Sequence, residues 1–162
     1  RESGWTIPEP ALRKGLAEMT WPARVELVAR RPAIIVDAAH NPASIEALVE
    51  VLGESFSVRQ RLLVFAVSHD KDYAAMLSQL VRRFDQIVFT RYQSNPRAVP
   101  PEELAATAER ICGRRFPVAP RPAEAWDYVR RLASAEDLIC VTGSFFLAAE
   151  MRRQIESRPC EP

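Results

Sequence analysis

From Ala33 onward, short apolar runs alternate with amphipathic stretches of helical period, and this alternation narrows the fold more than any other feature. Runs rich in Val, Ile, Leu and Phe suit strands buried on both faces of a parallel sheet, which needs helical crossovers to return the chain. Strands are predicted over 33–36, 62–67, 87–89 and 138–141, with 116–119 as a shorter one. Ahead of them, residues 25–29 alternate apolar and polar side chains and meet Arg30-Arg31-Pro32, a turn tight enough to predict an antiparallel edge hairpin with the 33–36 strand. The expected fold is α/β, a Rossmann-like three-layer domain. Its sheet is mostly parallel, has about six strands with an antiparallel first strand, and carries helices on both faces.

The helices follow from period. Ile45, Leu48, Val49 and Leu52 obey the i, i+3, i+4, i+7 rule, with Gly53 where a helix would end. Tyr73, Met76, Leu77, Leu80, Val81 and Phe84 trace a second helix, and Leu104, Ala108 and Ile111 a third. Trp126 and Val129, with Leu132 or Ala133, mark a fourth, and 144–155 a fifth. Such stripes pack on a sheet and explain fold, not function. Before the sheet, 5–10 reads as a linker, 11–19 as a short helix and 20–23 as a connection. That opening is too short to be a domain, so we expect a piece of a longer chain, with 1–23 as interdomain linker and short helix, 24–156 as the domain, and 157–162 as a disordered tail.

Composition excludes several function classes. The balance of 22 basic against 21 acidic residues, a net charge of +1, provides no global field for nucleic acid or an anionic membrane. No apolar stretch approaches the roughly 18 residues needed to span a bilayer, and the N-terminus lacks a signal-peptide pattern, which makes the cytoplasm the expected location. Cys112, Cys140 and Cys160 form no CxxC pair and His40 and His69 are the two histidines, so neither a disulfide framework nor a structural metal site is expected.

In an open parallel sheet, ligands gather beyond the carboxyl ends of the strands, where helix amino ends also point. Three such ends carry polar sequences. The first is Asp37-Ala38-Ala39-His40-Asn41-Pro42: Asn41 suits an N-cap and Pro42 the first helical position, while Asp37 and His40 are not needed to start a helix and can meet a hydroxyl, amine or phosphate. The second is Ser68-His69-Asp70-Lys71-Asp72. Asp70 or Asp72 can cap the next helix, but Lys71 stands out in a chain with 20 arginines and two lysines; its compact ammonium can grip a ligand carboxylate. The third is Thr142-Gly143-Ser144, where glycine allows close backbone approach and Ser144 is either a ligand hydroxyl or an N-cap. The five glycines build neither G-x-x-x-x-G-K-[ST] nor G-x-G-x-x-G, so this chain has no P-loop of its own.

Gly15-Leu16-Ala17, Trp21-Pro22-Ala23-Arg24-Val25-Glu26, Asp37-Ala38-Ala39-His40-Asn41-Pro42, Asp70-Lys71-Asp72 and Gly143-Ser144 stand in an order that resembles the C-terminal domain of folylpolyglutamate synthases and dihydrofolate synthases, within the Mur ligase superfamily. The similarity covers about residues 5–153, and the family usually has glycine where Ala23 and Ala38 stand. The resemblance implies an ATP-dependent acid–amino-acid ligase acting through an acyl phosphate. ATP and Mg would be bound mainly by an N-terminal P-loop domain lying outside these residues, so the piece alone would be inactive. It further implies Arg24 and Asp37 as ATP contacts, His40 as the catalytic residue and a glutamate contact, and Lys71 and Ser144 as glutamate-binding residues. Implied partners are that P-loop domain, ATP, L-glutamate, and dihydropteroate or a reduced folate, in a monomer. The alternatives are a muramyl-peptide ligase or cyanophycin synthetase C-terminal domain, or a non-catalytic ligand-binding module. A G-K-[ST] loop upstream in the same reading frame would favour the ligase, and a start codon just before Arg1 the module.

Overall fold

The computed structural model describes residues 4, 7–19 and 21–157. In chain order the elements are α1 (Glu9–Glu18), β1 (Glu26–Arg30), β2 (Ala33–Val36), α2 (Pro42–Ser55), β3 (Arg61–Phe65), α3 (Tyr73–Leu80), β4 (Gln86–Phe89), α4 (Pro101–Cys112), α5 (Pro122–Leu132), β5 (Leu138–Thr142) and α6 (Phe145–Ser157). Among the described residues the strands form one sheet in the order β1-β2-β5-β3-β4. β2, β5, β3 and β4 run parallel, and β1 pairs antiparallel with β2 through the tight turn at Arg31 and Pro32.

The two-residue period of the strands divides the core into two layers. Ile35, Leu63, Phe65, Ile87, Phe89 and Cys140 face α2, α3 and α4, where Ile45, Leu48, Leu52, Met76, Leu77, Leu80 and Leu104 meet them. Ile34, Val36, Leu62, Val64, Val88, Ile139 and Val141 face α5 and α6, packing on Trp126, Val129, Leu147, Met151 and Ile155. Helices on both faces bury every strand from β2 to β5, which is why those strands read as continuous apolar runs. Burial, with the Asp37 charge adding to it, pushes the Cys140 thiol well above its ordinary range and leaves it inert.

The sheet has five strands where about six were expected. Residues 116–119 supply only an isolated parallel bridge between Val118 and Phe89: the Phe89 amide donates to the Pro117 carbonyl at 3.1 Å and the Ala119 amide to the Phe89 carbonyl at 2.8 Å. Pro117 and Pro120 have no N–H to donate, so the ladder stops there. Helix ends also shift. α2 runs through Gly53 to Ser55, and α3 ends at Leu80, after which the Arg83 and Phe84 amides fold onto the Leu80 carbonyl. α1 starts at Glu9, with Pro10 in its first turn, and buries none of its residues. Parts of the predicted linker and tail, including Trp5, Thr20 and Cys160, lie outside the described residues.

Asp137 fixes the turn into β5. Its buried Oδ2 accepts hydrogen bonds from the Ser134 amide at 2.7 Å, the Ser134 hydroxyl at 2.9 Å and the Arg59 guanidinium at 2.7 Å. Burial opposes the charge, but the Ser134 amide, Arg59 and the Ser134 hydroxyl outweigh it and hold the carboxyl below its ordinary value. A depressed folded pKa contributes stability that is complete above the unfolded value of about 4 and is lost as pH falls through the folded one. Asp137→Asn should therefore reduce the unfolding free energy by about 1–3 kcal/mol at pH 7, with the deficit shrinking below about pH 4. Urea titrations at pH 7 and pH 3 check this; an equal deficit at both would reject it.

Candidate functional site

The carboxyl ends of β2, β3 and β5 form one rim. Beyond β2, Asp37 is 5% exposed. Its Oδ2 accepts the Val25 amide at 2.8 Å and its Oδ1 the Ala39 amide at 2.6 Å. Asp37 thus staples the segment before β1 to the rim, and Glu26 adds a second tie by accepting the Ala23 amide at 2.9 Å. The segment needs both, because Ala23 (φ 55°) and Val25 (φ 44°) occupy the left-handed region that side chains with a Cβ disfavour. Ala23 is one of the positions where the resembled family usually has glycine, and its φ gives the reason. Between these two residues Arg24 projects an exposed side chain whose guanidinium carbon lies 5.0 Å from the centre of the Phe145 ring.

His40 is half-buried. Its Nδ1 lies 2.8 Å from the Ala38 carbonyl oxygen, so that nitrogen carries the hydrogen and Nε2 is the one available to a ligand. The ring centre lies 5.5 Å from that of Phe145. Asn41 caps α2 as the sequence suggested: its Oδ1 accepts the Ser44 amide at 2.9 Å, the Ser44 hydroxyl oxygen accepts the Asn41 amide in return, and Pro42 opens the helix.

Beyond β3, Asp72 is the N-cap of α3, accepting the Ala75 amide at 3.0 Å. Asp70 is thereby released to pair with Lys71, Nζ to Oδ2 at 2.9 Å, and the Lys71 ammonium holds the Asp70 carboxyl below its ordinary value. Beyond β5, Gly143 has φ 109°, and a Cβ placed there would run into the Ala66 carbonyl oxygen and come within 2.7 Å of the Phe65 ring. Only glycine lets the chain pass this close to β3. Ser144 follows, 4% exposed; its Oγ accepts the Phe146 amide at 3.2 Å and its carbonyl the Ala148 amide at 3.0 Å, opening α6. That cap uses the hydroxyl as an acceptor and leaves its hydrogen for a ligand.

Two hollows open on the rim. One, of about 170 Å³, is lined by His40, Asp70, Lys71, Arg97, Ser144 and Phe145, among others. The other, of about 360 Å³, is lined by Arg24, Asp37, His40 and Ser44 over apolar Leu48 and Val51. His40 lines both. The structure therefore brings together Lys71, Ser144 and His40 in one hollow, and Arg24, Asp37 and His40 in its neighbour. His69 is exposed and lines neither. A hollow of about 350 Å³ at the opposite ends of the strands is bordered by an exposed Arg31–Glu136 pair at 2.7 Å and holds none of the expected residues. Among the described residues, no three His, Cys, Asp or Glu side chains cluster as metal ligands do.

Sequence reasoning missed Arg97 and Phe145. Arg97 sits on the loop after β4, a fourth strand end obeying the same rule as the other three, within Ser94-Asn95-Pro96-Arg97, whose proline marks a connection and carries no sign of a ligand. The loop is well tethered: the Tyr92 and Ser68 hydroxyls lie 2.6 Å apart, Glu150 accepts the Gln93 amide at 3.0 Å and the Ser94 amide at 2.7 Å, and Asn95 accepts the Arg97 amide at 2.9 Å. Phe145 is 50% exposed and stands off the α6 stripe of Leu147, Ala148, Met151 and Ile155.

A doubly covered, mostly parallel sheet whose loops gather charged, hydroxyl and imidazole groups at one rim is a ligand-binding α/β domain. The family model for the Mur ligase, glutamate ligase domain matches residues 23–145, and the chain belongs to that family. It is 32% identical over 160 residues to the folylpolyglutamate synthase of Lacticaseibacillus casei, covering 96% of this chain and 34% of that protein. Escherichia coli FolC in complex with ADP, without folate substrate, superposes with a TM-score of 0.87 at 31% identity, covering 98% of this chain and 37% of that one. A bifunctional folylpolyglutamate synthase/dihydrofolate synthase with Mn, AMPPNP and L-glutamate bound gives a TM-score of 0.80 at 28% identity, over 93% of this chain and 36% of that one. The chain spans about a third of the length of these relatives.

Proposed function

We propose that this chain is the C-terminal domain of an ATP-dependent folate:L-glutamate ligase of the folylpolyglutamate synthase/dihydrofolate synthase type. The observation that carries the reading is the pair of hollows joined at His40, one suited to a nucleotide and the other to an amino acid. In the larger, Arg24 brings a permanent positive charge, Asp37 retains lone pairs for a hydroxyl, and Leu48 and Val51 offer apolar area. In the smaller, Lys71 and Arg97 face Asp70, and two cations beside one carboxylate complement the two carboxylates and one ammonium of glutamate. The relatives found with ADP, and with Mn, AMPPNP and L-glutamate, support a ligase that takes both a nucleotide and glutamate.

A carboxylate oxygen of the folate forms a bond to the γ-phosphorus of ATP, the bridging phosphorus–oxygen bond breaks, and ADP leaves the acyl phosphate behind. The glutamate nitrogen then forms a bond to the acyl carbon, the carbon–oxygen bond to phosphate breaks, and the nitrogen loses a proton. Lys71, Arg97 and the Ser144 hydroxyl fix the glutamate carboxylates, while His40, at the junction, offers Nε2 to the amine or the departing phosphate. Closure against a P-loop domain, which also holds the Mg, keeps water from the acyl phosphate. The ligase would act as a cytoplasmic monomer.

The test uses the full-length enzyme carrying this domain, assayed with dihydropteroate and tetrahydrofolate side by side. Lys71→Ala should raise the KM for glutamate by about 30-fold or more, roughly 2 kcal/mol, with the KM for ATP within about threefold. The 162-residue chain by itself should turn over no ATP. Unchanged glutamate dependence would remove Lys71 from the site, and ATP turnover by the chain alone would overturn the assignment of the phosphates to a separate domain.

A further inference from the structure

We propose that Phe145 is a positioning residue that orders both hollows at once, its ring holding the Arg24 guanidinium on the nucleotide side and the His40 imidazole on the amino-acid side. The inference rests on the ligase reading and adds to it a residue with no polar group of its own. Core packing does not account for the ring: Phe145 is half exposed, and α6 is anchored by Leu147, Ala148, Met151 and Ile155 without it. What it touches are two residues of the rim. The Arg24 guanidinium carbon lies 5.0 Å from the ring centre, within cation–π range, and the His40 ring centre lies at 5.5 Å with the planes at 48°.

Both neighbours need such a partner. The Arg24 backbone is pinned by the ties to Asp37 and Glu26 on either side, but its long side chain is exposed and would otherwise sample many rotamers. The Phe145 face gives it one favoured direction. His40 is held at one edge by the contact of Nδ1 with the Ala38 carbonyl, and the Phe145 ring supports it from another side, fixing where Nε2 sits. Phe145 itself is placed by Gly143 and Ser144, the turn that cannot accept a Cβ, so the stack is referenced to the centre of the sheet. The larger hollow is lined by Arg24, the smaller by Phe145, and both by His40. Ordering one set of contacts therefore orders the other.

The experiment compares Phe145→Leu, which keeps apolar bulk without the π face, with Phe145→Tyr, which keeps the ring. In the full-length enzyme Phe145→Leu should raise the KM for ATP about three- to tenfold through Arg24 and lower kcat about three- to tenfold through His40, while Phe145→Tyr stays within about twofold for both. In an Arg24→Ala background Phe145→Leu should add no further rise in the KM for ATP, because the two act as one unit. In the 162-residue chain, the His40 ring-proton resonances should lose the ring-current shift of Phe145 in the Leu variant and keep it in the Tyr variant. A wild-type KM for ATP or a wild-type kcat for Phe145→Leu, a Tyr variant as impaired as the Leu variant, an additive rise in the KM for ATP with Arg24→Ala, or unmoved His40 resonances would each overturn the proposal. A wild-type enzyme without ligase turnover would instead refute the ligase reading, and the resonances would still decide whether the stack exists.

Discussion

Replacing His40 with alanine in the full-length ligase should lower kcat by about a hundredfold or more while leaving the KM values for ATP and glutamate within about fivefold. The expectation follows from where the imidazole sits. It lines both hollows, its Nδ1 is committed to the Ala38 carbonyl at 2.8 Å, and a single nitrogen is left at the junction where amine and phosphate would meet. A group placed there acts on the reacting atoms more than on either resting ligand, so its loss appears in kcat. His40→Gln retains a hydrogen-bonding group but no titrating ring, and should recover part of the rate only if the role is to bind the phosphate oxygens. A full loss in Gln as well as Ala would assign His40 to proton transfer. The capping of α2 by Asn41 and Ser44 does not involve the ring, so melting temperatures should barely change, and a kcat within threefold of wild type in the Ala variant would remove His40 from the chemistry.

The second large effect is on stability. Gly143→Ala should cost about 3 kcal/mol, roughly 6–12 °C in Tm for a domain of this size, because the added methyl meets the Ala66 carbonyl and the Phe65 ring at a φ of 109° that alanine disfavours. Relief of the clash would displace Ser144 and Phe145, so glutamate use should suffer along with folding. The same substitution at Gly53 makes an internal control. Gly53 lies inside α2 with nothing within 4 Å of an added Cβ, and Gly53→Ala should stabilise by about 0.5–1 kcal/mol. Thermal melts of the two variants check both signs, and a neutral Gly143→Ala would show that β5 and β3 can separate locally without cost.

Much of the fold was legible because burial on both faces leaves a simple trace. The apolar runs that became β2, β3, β4 and β5 needed no partner information to be seen, and the Arg30-Arg31-Pro32 turn was enough to make β1 antiparallel. Residues 116–119 failed as a strand because alternation and β propensity do not count donors, and the prolines at 117 and 120 remove them. On the rim, Asp37, His40, Lys71 and Ser144 were found by position after strands, although which of Asp70 and Asp72 capped α3 required coordinates. Arg97 escaped because, in a chain with 20 arginines, one more in a proline-marked loop has no compositional signal. Its direction depends on Tyr92 meeting Ser68 and on Glu150 reaching back to Gln93 and Ser94, contacts between residues far apart in sequence. Phe145 was hidden differently, absorbed into the stretch read as the last helix although its spacing from Leu147 and Met151 sets it apart.

The strand order has a consequence for synthesis on the ribosome. Among the described strands β5 comes latest in the chain, yet it lies between β2 and β3, which share no ladder of their own. Until residues 138–142 emerge, the nascent chain holds two separate strand pairs with open inner edges, β1 with β2 and β3 with β4. His40 and Lys71 then belong to different unfinished pieces, and inserting that final strand both seals the exposed edges and draws the two together.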